Sequence, residues 1–116
     1  MNIKKIEKLA LEIRNEFENN KIDERLLKNL YQKYNNLNNI DLFVEKSKDL
    51  FPHLNCGLVT LYLKYRLSSG EIVQGRYNSQ KHTFLLLHKE YVVDITDDQY
   101  GGPEVYVGPL TKPRSK

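Results

Sequence analysis

A single cysteine, Cys56, leaves this chain without an internal disulfide. Nothing in it therefore demands an oxidising compartment. No apolar run approaches the roughly 18 to 20 residues needed to span a bilayer. The first residues, "MNIKKIEKLALEIRNEF", are too charged for a signal peptide, and Glu7, Glu12 and Glu16 argue against a transit peptide. These absences predict a soluble protein, cytoplasmic where it is made, with no membrane partner. Export by a dedicated secretion system leaves no mark of this kind. An excess of one charge is also missing: 18 Lys and Arg meet 15 Asp and Glu, a formal net charge of +3 spread along the whole chain. A balance so mild gives little support to nucleic-acid binding, and no groove-reading motif accompanies the tyrosines and lysines of "YLKYR" and "GRYNSQKH". Internal repeats and long linkers are absent as well.

What is there fits one globular domain. The chain has 116 residues, 40% of them hydrophobic and 28% charged, enough to bury a core without staples. Residues 1–51 read as a helical layer. Ile3, Ile6, Leu9, Ala10, Ile13 and Phe17 recur at spacings of three and four, which predicts a first helix. Asp23 is placed to cap a second, with Leu26, Leu27, Leu30, Tyr31, Tyr34 and Leu37 on its apolar side. Asp41 is placed to cap a short third helix through Phe51, which Pro52 stops. A fourth is expected from Cys56 to Leu67, closed by "SSG" with Gly70 in the left-handed position.

The character then changes. "EIVQGRY", "HTFLLLH", "YVVDIT" and "EVYVG" are short, rich in β-branched and aromatic residues, and separated by turn residues. Residues 109–116 read as a loose tail. Helices first and strands after predict an α+β fold, with N-terminal helices packed on a small antiparallel sheet.

The chemistry-bearing residues fall in the second half. A thiol at a helix N-terminus feels the positive end of the dipole, which favours the thiolate, and the free N–H groups there suit a developing oxyanion. Cys56 stands at such a position. The plain alternative is a small buried hydrophobe. A thiol nucleophile needs a histidine base, and the histidine needs an orienting group. His82 opens one strand, and Asp94 interrupts the apolar run "VVDI" of the next, where an unpartnered charge is costly. If "HKE" is a three-residue loop closed by Leu87 and Tyr91, facing residue numbers sum to 178. His82 and Asp94 then share a face on a diagonal. A two-residue loop would send them to opposite faces.

The order Cys, His, Asp, with "CG" opening an apolar helix, then "HTF", then "VVDITDDQY", resembles papain-like and transglutaminase-like thiol enzymes, most closely small bacterial papain-fold domains of the toxin 2 type. The resemblance covers roughly residues 53–108. It implies a papain-like core with the nucleophile at the N-terminus of a central helix, Cys56 as nucleophile, His82 as general base and acid, and Asp94 as orienter. It further implies a hydrolase or acyltransferase acting on amide bonds of a protein or peptide, as protease, deamidase or transglutaminase. No cofactor is needed for that chemistry. A bacterial toxin or effector role with a cognate immunity protein follows from the same resemblance. Phe84 stands where related sequences often carry Trp, and no papain-type glutamine precedes Cys56. Asn55 and His53 are the candidates to line the oxyanion site, and Gln99 and Phe84 to line the substrate site.

Two rival readings follow from the same residues. His53, Cys56, His82, His88 and Asp94 offer zinc-compatible ligands, though not at compact zinc-motif spacing. A non-catalytic interaction module on a papain-like frame is the other, since folds outlive their chemistry.

Overall fold

The computed structural model describes residues 2–19, 21–35 and 56–116. The expected helix over 41–51, Pro52, His53 and Asn55 lie outside the described residues. Among those described, three α-helices and five strands form an α+β fold.

Helix α1 spans Ile3–Glu18, and the Asn2 side chain accepts a bond from the Lys5 N–H at 3.2 Å, satisfying a donor that helix geometry leaves open. Helix α2 spans Glu24–Asn35. Asp23 caps it as the sequence predicts, accepting from the N–H groups of Arg25 and Leu26 at 2.9 and 3.3 Å. Helix α3 spans Cys56–Leu67. Leu58, Val59, Leu61, Tyr62 and Leu63 are all buried, so apolar residues occupy more than one side of it. A helix of that pattern belongs in a core. Its Tyr62 ring meets Phe17 of α1 edge-on at 5.6 Å, and Arg66 bonds Glu16 of α1 at 2.8 Å. Its other side packs on the sheet.

The end of α3 differs from expectation. Ser68, at φ +53°, takes the left-handed position, and Gly70 follows at φ +105°. Gly70 serves packing as well. A Cβ there would come within 2.9 Å of the side chains of Leu85 and Leu87.

Strands β1 (Glu71–Tyr77), β2 (Gln80–Leu87), β3 (Tyr91–Asp94), β4 (Tyr106–Pro109) and β5 (Arg114–Ser115) form one antiparallel sheet in the order β4-β3-β2-β1-β5. A 3-10 turn, Asp97–Tyr100, follows β3. The β2–β3 pairing is Leu85↔Val93, Leu86↔Val92 and Leu87↔Tyr91, the register that sums to 178. His88 and Lys89 both take positive φ, and the Glu90 N–H bonds the Leu87 carbonyl at 3.0 Å.

The tail corrects the sequence reading. Residues 109–116 are not loose: Pro109 ends β4, and β5 pairs with β1 through Arg76↔Ser115 and Tyr77↔Arg114. The physical reason is Gly75. Its missing Cβ lets the Ser115 carbonyl approach, where an added Cβ would clash with that oxygen. The Asn78 N–H also bonds the Pro113 carbonyl at 2.8 Å.

The sheet separates two cores. Its outer face, with Leu85, Leu87 and Val93, packs on Ala10, Ile13, Leu27, Leu58, Val59 and Leu63 of the helices. Its inner face carries Val73, Phe84, Leu86 and Val92, with Tyr106 and Leu110 against them. The sheet curls around that inner face. Arg114 of edge strand β5 lies 3.6 Å from the ring centre of Tyr106 on the opposite edge, β4.

Candidate functional site

His82 and Asp94 meet on the inner face. Regular β1–β2 pairing (Gly75↔His82, Val73↔Phe84) keeps His82 on the same side as Phe84 and Leu86. The chain turns sharply after Asp94, whose Oδ1 accepts from the N–H and hydroxyl of Thr96 at 3.2 and 3.3 Å. Its Oδ2 lies 2.5 Å from His82 Nε2. A carboxylate only accepts, so Nε2 carries the proton of this bond. Nδ1 is the ring atom a nucleophile would have to use. Both side chains are buried, at 0% and 2% exposure.

Two further residues complete a buried ionic group that sequence reading did not assign. Asp97, at the start of the 3-10 turn and fully buried, brings Oδ1 within 3.2 Å of His82 Nε2. Arg114 pairs with Asp97 and lies 3.7 Å from Asp94 Oδ2. Its guanidinium sits over Tyr106 and, at 5.3 Å, over Tyr77. Burial pushes the Arg114 pKa below its ordinary value, against the upward pull of Asp94 and Tyr77. Two carboxylates face one guanidinium and one imidazole, so a protonated His82 leaves the group with no net charge. Asp97 stands in the quoted "VVDITDDQY", and a second acid beside an apolar run was the available signal. Nothing in "GPLTKPRSK" marks Arg114 except the need of two buried acids for a cation.

The remaining candidates are dispersed. Phe84 is fully buried in the inner core, its ring 6.0 Å from His82. It packs beside the imidazole rather than lining open space. Gln99 lies in the 3-10 turn with its Nε2 buried and without a hydrogen-bond partner. Tyr77 and Tyr100 stack at 5.0 Å and present edges to His82 at 6.1 and 5.1 Å. His88 is exposed in the β2–β3 loop, at the other end of β2 from His82. That removes it from any zinc set containing His82. His82, Asp94 and Asp97 do bring three ligand atoms within 4.8 Å of one another, but Arg114 already supplies positive charge to both carboxylates.

Cys56 is the first residue of α3, and its side chain lies outside the described part of the structure. One turn on, the Thr60 hydroxyl donates to the Thr83 carbonyl at 3.2 Å. The early part of α3 therefore runs along the outer face beside the residue that follows His82.

No protein family, curated protein or solved structure matches this chain. No described helix is long and apolar enough to cross a membrane.

Proposed function

We propose that this protein is a cysteine-dependent hydrolase or acyltransferase acting on amide bonds, on a papain-like plan, with Cys56 as nucleophile, His82 as general base and acid, and Asp94 as orienter. The observation that carries the reading is the buried His82–Asp94 pair at 2.5 Å. A carboxylate on Nε2 fixes the ring and stabilises the imidazolium that proton transfer creates. The Thr60–Thr83 bond supports the rest, because it draws the beginning of α3 toward this end of β2. Since α3 packs on the outer face and His82 faces inward, the thiol must meet Nδ1 around the end of β2.

In the proposed cycle His82 takes the proton of Cys56. The thiolate attacks the amide carbonyl carbon, and a C–S bond forms. The tetrahedral adduct collapses, the C–N bond breaks, and the amine leaves with the proton from His82. Water, or a second amine, then adds to the thioester, the C–S bond breaks, and the thiol is restored. Protease, deamidase and transglutaminase share these steps, and none needs a cofactor. The substrate is a protein or peptide. A bacterial effector or toxin domain, checked by a cognate inhibitor protein, is the setting that the motif resemblance suggests.

A second reading has its own observation. Asp97 and Arg114 make the group a closed ionic network joining β2, β3 and β5, as a purely structural clasp of the half-closed sheet would be. Alkylation separates the two. Iodoacetamide reactivity of Cys56 against pH, followed by mass spectrometry, should titrate below the free-thiol value of about 8.5, and that early reactivity should be lost in His82→Ala. Reaction only after unfolding, or indifference to His82 in a variant that still melts cooperatively, would leave the clasp.

A further inference from the structure

A groove of about 450 Å³ runs over the β1–β2 hairpin, lined by Gln74, Gly75, Arg76, Lys81, His82, Thr83 and Lys116. Arg76 and Lys81 are direct cross-strand partners, and both are exposed. Like charges placed opposite each other on a sheet repel. Among the described residues neither pairs with a carboxylate, and Arg76 only donates to the Ser79 carbonyl at 3.2 Å. Lys116 adds a third exposed cation to the same groove. The chain's net charge is only +3, so three cations with no carboxylate partner among the described residues concentrate on one groove a charge that is otherwise balanced.

We propose that this groove binds an acidic peptide segment. Carboxylates of the segment would sit between Arg76, Lys81 and Lys116. The Gln74 amide and the Thr83 hydroxyl, also in the lining, suit the polar backbone of an extended peptide. Single-stranded nucleic acid is the rival anion, but it is held by aromatic rings on which bases stack, and no residue lining the groove carries a benzene or indole ring. His82 and Thr83 place the groove at the end of β2 where α3 begins to pack. Arg76, Lys81 and Thr83 lie on the outer face, so a segment bound here runs near the start of α3, across the sheet from the buried His82 side chain. Naming it as substrate rests on the amide-hydrolase reading. The binding itself does not.

The test is fluorescence polarisation with a fluorescein-labelled peptide of alternating Glu and Ala, about ten residues long. The same peptide with Gln for Glu and an oligothymidylate of similar length serve as controls. The Glu peptide should bind, and should weaken steeply between about 50 and about 300 mM salt. Arg76→Ala/Lys81→Ala should weaken it about five- to tenfold. Both residues are exposed and mutually repulsive, so the double variant should melt no lower than the wild type. Arg76→Glu/Lys81→Glu should abolish binding. Equal affinity for the Gln peptide, tighter binding of the oligothymidylate, or indifference to the double variant overturns the proposal. Repeating the titration with Cys56→Ala separates the two claims. Unchanged selective binding there supports the groove even if the alkylation experiment removes the enzyme. Loss of selectivity with an activated thiol intact removes the groove alone.

Discussion

At Arg114 the inner face depends on one side chain. Its guanidinium compensates two buried carboxylates and stacks on Tyr106. Removing one partner of a buried ionic group leaves charge without compensation, at a cost of about 3 to 5 kcal/mol. Arg114→Met should lower unfolding free energy by that order in urea titrations. Arg114→Lys should recover only part, because an ammonium is a point charge without the planar fork that reaches two acids. Adding Asp97→Asn to Arg114→Met should restore part of the loss, since it removes the orphaned charge. At this scale Asp94 was legible because its charge broke the apolar run "VVDI", and His82 because a three-residue loop would set it on the same face as Asp94. Arg114 broke no pattern: an arginine among Lys, Pro and Ser looks like any solvated end. Its role exists only once the sheet has curled.

At the scale of the element, the β2–β3 hairpin shows how one loop length sets chemistry. His88 and Lys89 hold left-handed backbone in a three-residue connection. That length gives the odd-numbered loop which keeps His82 and Asp94 on one face. Lys89 is poorly suited to positive φ. Lys89→Gly should raise stability by about 0.5 to 1 kcal/mol, read as a higher thermal midpoint without a change in register. Deleting one residue of the loop should part the dyad. Strand β5 depends on a different small feature. In Gly75→Ala the new methyl meets the Ser115 carbonyl, so β5 should leave β1. Amide exchange of Asn78, whose N–H bonds Pro113, should then rise sharply. Helices α1 and α2 were readable from period and caps, as Asp23 shows. The pairing of β5 was not, because a two-residue strand carries no period, and the glycine that admits it lies nearly forty residues earlier in the chain.

At the scale of the molecule, one arginine ties α1 to the segment after β3 and another ties α3 to α1. Arg14, buried in α1, donates to the Ile95 carbonyl at 2.7 Å and forks onto Asp98 at 2.7 and 2.8 Å. Its carboxylate partners Asp98 and Glu18 hold its pKa above the ordinary value, against desolvation, the largest single influence. Arg14→Ala leaves a buried carbonyl unsatisfied and should cost about 2 to 3 kcal/mol. Arg66, more exposed in its bond to Glu16, should cost under about 1 kcal/mol as Arg66→Ala. Chemical unfolding of the two variants side by side checks the contrast. The α+β order was plain from the sequence, since helical and strand periods occupy separate halves. The two-faced division was not. It follows from the sheet's curl, which no local pattern states.

That curl gives the protein a sequence in time. The ionic group draws one member from β2, two from β3 and the turn beyond it, and its last from β5. During synthesis the histidine and both aspartates emerge well before the arginine that settles them. Until residue 114 has cleared the ribosome, the two acids lack their guanidinium and have only the His82 imidazole beside them. The ionic group is therefore completed late: its cation arrives with β5, after the β2–β3 hairpin that brings His82 and Asp94 together.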